Sequence, residues 1–62
     1  MSTKILHKLK SLREKRLWNM QKLADEAGIA VATVSNAERG RPISFETIKK
    51  MADALGVAPE KL

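Results

Sequence analysis

Residues Met20–Arg39 read MQKLADEAGIAVATVSNAER, and the reading of this stretch decides how the rest of the chain is arranged. Leu23, Ala24 and Ala27 fall at i, i+1 and i+4, so they share one face of a short helix. Gly28 comes next, where the chain must reverse, and glycine takes a positive φ there without steric cost. Apolar positions resume at Ile29, Val34 and Ala37 on a second short helix. Ala24, four residues before Gly28, has a side chain small enough for the two helices to approach closely. In the second helix Ala32, Ser35, Asn36 and Arg39 fall at i, i+3, i+4 and i+7 and form one outward stripe.

Two helices joined by such a turn make a helix-turn-helix, whose second helix is free to enter a DNA major groove. The stretch resembles the phage repressor and Cro type of helix-turn-helix regulator, the XRE-like family. The matching residues are Ala24, Gly28, Ile29, Val34, Ser35 and the closing Glu38-Arg39-Gly40. The likeness continues through Leu12-Arg13 before the motif and Ala54-Leu55-Gly56-Val57 after it, so it covers nearly the whole chain. It implies an all-α fold: one compact repressor-like domain of four to five helices over residues 1–62, with the motif at about residues 20–39. It also implies sequence-specific binding of double-stranded DNA by a prokaryotic or phage transcriptional regulator. Antitoxins share the pattern, so a protein-interaction module with weak or lost DNA reading is the alternative.

Composition agrees with an anionic partner. The 62 residues carry a formal net charge of +5 and an isoelectric point near 10.0. Up to Lys22 the only acid is Glu14, against Lys4, Lys8, Lys10, Arg13, Lys15, Arg16 and Lys22. With no cysteine, neither a disulfide nor a thiolate metal site is available, and no metal or other cofactor is expected. No apolar run approaches the ~20 residues of a membrane span, and Met1-Ser2-Thr3 leads into an amphipathic pattern without a signal-peptide core. A cytoplasmic protein with no membrane or small-molecule partner is the reading. An enzyme is not expected: His7 is the single histidine, Asp25 and Glu26 are adjacent on one exposed helix face, and no Gly-rich phosphate loop occurs.

Around the motif, the first helix is expected from about Thr3 to Arg16, capped by Ser2 or Thr3. Ile5, Leu9 and Leu12 make its inner stripe, with Leu6 at the border. Leucine stands at Leu17 where the family has glycine, which leaves the usual left-handed helix stop unprovided for. Trp18 is expected in the core. Asn19 is a good N-cap for the second helix, and Ser44 for the fourth. Phe45, Ile48, Ala52 and Leu55, with Met51 beside them, complete the core behind the motif. Gly56 ends that helix, Val57 folds back on it, and Pro59 begins one further turn.

The resemblance assigns the helix from about Val31 to Glu38 to base reading. Its base-edge positions hold Val31, Ala32, Thr33 and Asn36. Asn36 can bond adenine N6 and N7 together, and Val31 and Ala32 can pack on thymine methyl groups. Asn19, Gln21, Ser35, Arg39 and Arg41 are expected on DNA phosphates. Met20 replaces a glutamine common in the family and cannot make that bond. Glu38 lies on the Val34 side of its helix and faces inward, so it needs a partner. In the family that partner is the arginine of the Leu-Arg step, here Arg13, in a structural ion pair. A homodimer on a palindromic operator is the arrangement that related domains suggest.

Overall fold

The computed structural model describes residues 3–62. Among these residues are four α-helices: α1 (Leu9–Lys15), α2 (Met20–Ala27), α3 (Val31–Glu38) and α4 (Phe45–Leu55). A 3-10 turn at Pro59–Lys61 follows α4, as the position of Pro59 predicts. Two short strands, β1 (Thr3–Lys4) and β2 (Ile43–Ser44), pair antiparallel, with Thr3 opposite Ser44 and Lys4 opposite Ile43. The helical class holds, with this ribbon added to it.

All four helices end by one device. The amide of Trp18 donates to the Arg13 carbonyl (3.3 Å), Ile29 to Ala24 (3.0 Å), Arg41 to Asn36 (3.1 Å) and Val57 to Ala52 (3.0 Å). Each bond spans six residues and closes a Schellman turn, satisfying a carbonyl that the helix leaves unpaired. The residue before each donor is left-handed: Gly28, Gly40 and Gly56 in three cases and Leu17, at φ 59°, in the first. The left-handed stop is therefore kept without glycine. Two bonds bracket Leu17 and hold it there: Trp18 donates to Arg13 through its amide, and Arg13 Nη1 donates back to the Trp18 carbonyl at 2.7 Å.

A left-handed leucine costs about 1–2 kcal/mol. The Leu17 side chain is 93% exposed, so no burial offsets that cost. Glycine would relieve it and lose only part of the gain to its extra freedom in the unfolded chain. Leu17→Gly is expected to stabilise the fold by about 0.5–1 kcal/mol, read as a higher denaturant midpoint. A midpoint at or below that of the parent would show that the strain is already absorbed.

The helix starts follow local chemistry at α2 and α4. Asn19 Oδ1 accepts the Lys22 amide at 2.8 Å, and Ser44 Oγ accepts the Thr47 amide at 3.4 Å. The start of α1 differs from the sequence expectation. The helix begins at Leu9 rather than Thr3, and Lys8 occupies the cap position without a side-chain hydrogen bond. Thr3 is in β1 instead, and Ser2 lies outside the described residues. The Leu62 carbonyl accepts the amides of His7 (3.0 Å) and Lys8 (2.8 Å), so a residue far along the chain closes this end.

Because residues before Leu9 are not helical, the inner stripe shifts. Leu6 is buried, whereas Ile5 is 43% exposed. Phe45 is a second correction: it is 56% exposed, and Ile43, from β2, is the buried residue in that region. Phe45 occupies the first position of α4, beyond the depth of the Ile48, Met51, Ala52 and Leu55 stripe that faces the core. It forms one wall of an open apolar depression with Lys4, Ile48, Lys49, Pro59 and Glu60. The core itself joins Leu6, Leu9, Leu23, Ala24, Val34, Ala37 and Leu62 to Ile43 and the α4 stripe. Leu12, Trp18, Ile29 and Val57 pack half-buried against it.

Candidate nucleic-acid interface

The helix that faces outward is set by what its inner side holds. Val34 and Ala37 of α3 are fully buried, and Ala24 of α2 is 1% exposed. These small and branched side chains let α2 and α3 pack closely on the turn at Gly28. At the end of α3, Glu38 reaches inward to Arg13 of α1. Arg13 Nε donates to Glu38 Oε2 at 2.6 Å, and Nη2 donates to Oε1 at 2.9 Å. Both side chains are nearly buried. The hydrogen bond to Glu38 raises the Arg13 pKa further above its ordinary value, and burial opposes this only in part. The guanidinium is therefore permanently charged, and its fork geometry fixes the orientation of α3 on α1.

The other side of α3 is left to solvent. Ala32 and Arg39 are exposed, Ser35 and Asn36 are half-buried, and Thr33 is half-buried on the flank. Val31, at the leading end, is 41% exposed. The Arg41 amide bond to the Asn36 carbonyl ties the Arg39–Arg41 loop to this helix, so two exposed arginines stand beside its end.

The first turns of α2 and α3 contain no acid, whereas that of α4 contains Glu46. The positive ends of the two motif helices are thus uncompensated and suited to an anion. At α2 the Asn19 cap uses its carboxamide oxygen, which leaves its NH2 group to donate outward. Gln21 is placed on the same turn, but its Nε2 donates to Asp25 Oδ1 at 2.8 Å. At α3, Ala30 provides no side-chain cap, as its residue type predicts.

The sequence profile of the helix-turn-helix family matches residues 9–62. The chain belongs to the helix-turn-helix family. Two solved structures are similar to it along most of its length. The restriction-modification controller protein C.AhdI from Aeromonas hydrophila is 33% identical, with a TM-score of 0.83 over 87% of this chain and 83% of that one. The hypothetical transcription factor NHTF from Neisseria is 37% identical, with a TM-score of 0.79 over 86% of this chain and 61% of that one. Curated proteins give no significant match. The helix-turn-helix family is one of DNA-binding transcription regulators, and this chain shares that function.

One part of the helix-turn-helix surface escaped the sequence reading. Trp18 is half-buried, with the Arg16 guanidinium 5.4 Å and the Lys22 ammonium 5.8 Å from its ring centre. Both cations are within cation–π range. Arg16 also donates to the Leu55 carbonyl at the end of α4, and Lys22 pairs with Glu26 at 3.2 Å. The indole therefore packs on the core and organises two cations at the α1–α2 connection. A lone tryptophan with basic residues at i−2 and i+4 was the available signal. Among the described residues no group of His, Cys, Asp or Glu is placed to hold a metal ion. Among the same residues no helix is long and apolar enough to cross a membrane.

Proposed function

We propose that this helix-turn-helix protein regulates transcription by sequence-specific binding of duplex DNA, with α3 in the major groove. Val31, Ala32, Thr33 and Asn36 meet base edges, Asn36 taking adenine N6 and N7 together. Asn19, Ser35, Arg39 and Arg41 contact phosphates and set the register, and Gln21 joins them by exchanging its Asp25 bond for a phosphate oxygen. Binding as a homodimer would place two half-sites about one helical turn, ~34 Å, apart on a palindrome. The site of action is the cytoplasm. The single observation that carries this reading is that α3 is clamped from within by Glu38 and Arg13 while its Ala32–Asn36–Arg39 side stays open.

The test is duplex affinity across a salt series, for random and selected DNA, with parent and Asn36→Ala proteins. Binding should fall steeply with salt for both proteins. On selected DNA Asn36→Ala should lose about 1–3 kcal/mol, and on random DNA almost nothing. Equal, weak binding of all duplexes by both proteins would reject groove reading. The open, apolar Val31–Ala32 end of α3 would then favour the second reading, a protein-interaction module of the antitoxin kind.

A further inference from the structure

The leading end of α3 presents aliphatic side chains. Ala30, Val31 and Ala32 are all exposed, and Thr33, half-buried, follows with a methyl group and a hydroxyl. The carboxamide of Asn36 comes a turn later. This aliphatic end sits in a surface whose other members are arginines, an asparagine cap and acid-free helix starts. It is also rigid. Val31 is β-branched and stiff about χ1, and the helix beneath it is fixed by buried Val34 and Ala37 and by the Glu38–Arg13 fork.

In a major groove, aliphatic carbon has one specific counterpart, the C5 methyl group of a pyrimidine. Thymine carries it and cytosine does not. A cytosine methylated at C5 carries the same group at the same place on the ring. The side chains of Val31 and Ala32 carry no polar head to test O4 against N4, so where they meet a base they respond to the methyl itself. The result is a sensitivity to chemical modification of the DNA, not only to its sequence.

We infer that the Val31–Ala32 end of α3 is a reader of 5-methylpyrimidines, so that C5-methylation of cytosine within the bound duplex strengthens binding. This rests on α3 lying in the groove. The consequence is regulatory: one operator sequence would exist in a weaker and a stronger form, interconverted by a DNA cytosine methyltransferase and by replication.

The experiment uses the full chain and a duplex enriched from a random pool. Each thymine is replaced in turn by deoxyuridine, which removes only the methyl group, and each cytosine by 5-methylcytosine. Where Val31 and Ala32 contact the groove, deoxyuridine should weaken binding about fourfold per methyl, the factor that corresponds to one buried methyl-sized group. 5-Methylcytosine at those positions should strengthen it by a similar factor. Val31→Ser, whose melting temperature should match the parent because the site is exposed, should flatten both responses. If neither replacement changes affinity while Asn36→Ala still abolishes the preference for the enriched duplex, the methyl inference is overturned and groove reading stands. If no duplex is enriched over random DNA, groove reading fails and the inference falls with it.

Discussion

Arg13→Met is expected to destabilise the protein by about 3–5 kcal/mol. The variant keeps an unbranched side chain of similar reach, so little packing is lost. It removes the Nε and Nη2 donors to Glu38, whose side chain is only 4% exposed. A carboxylate so placed must stay charged without a partner, take up a proton, or pull α3 outward to reach water, and each course costs free energy. The Trp18 carbonyl loses its Nη1 donor as well, which loosens the turn around Leu17. Stability of a chain this size is on the order of 3–9 kcal/mol, so the single variant should be partly unfolded near 37 °C.

The double variant Arg13→Met/Glu38→Leu separates the pair from its surroundings. Removing both charges leaves no orphan, and such replacements are often neutral or better. The double variant should therefore recover most of the loss by denaturant melt. Its DNA affinity reports something else, namely whether the fork is needed to aim α3. Equal midpoints for parent and single variant would mean that the pair contributes nothing to the fold.

Leu62→Ala is expected to cost about 2–5 kcal/mol, the range for truncating a buried leucine. Leu62 is 4% exposed and joins the core under α1 and α4. Its carbonyl also closes the start of α1 through the His7 and Lys8 amides. Alanine keeps that carbonyl, so the variant isolates the side chain. The cavity would open where the last turn meets α1, and α1 carries Arg13, so the support of α3 should weaken with it. The measurement is the denaturant midpoint at unchanged slope, with faster hydrogen exchange at the Lys8 amide. Glu60→Ala, on the exposed side of the same turn, is the control and should stay within about 0.5 kcal/mol. If the two variants melt alike, the last turn is not part of the cooperative fold.

Much of this helix-turn-helix was legible in the sequence because its signals are local. Asn19 and Ser44 cap the helices they precede, and Gly28 and Gly56 take positive φ at the ends predicted for them. Each effect acts over a few residues, so spacing alone reveals it. The 3.6-residue period likewise placed Leu23, Ala24, Val34, Ile48, Met51 and Leu55 inside. The inward Glu38 was visible as a charge on an apolar face, and its family likeness named Arg13 as its partner. The open face of α3 was legible as a stripe.

Tertiary structure decided the rest, always where the deciding contact is distant in the chain. Thr3–Lys4 is a strand because Ile43–Ser44 offers it a ladder, although the Ile5, Leu9 and Leu12 spacing suits a helix equally well. That pairing turns Leu6 inward in place of Ile5, and Ile43 becomes buried where Phe45 was expected. Leu17 adopts the glycine conformation because Arg13 and Trp18 clasp it. Leu62 completes α1 from the far end of the chain. A helix cap or a glycine turn is specified by its neighbours in sequence. A ladder partner, a strained φ and a borrowed carbonyl are specified by neighbours in space, and these exist only once the core has brought the ends of the chain together.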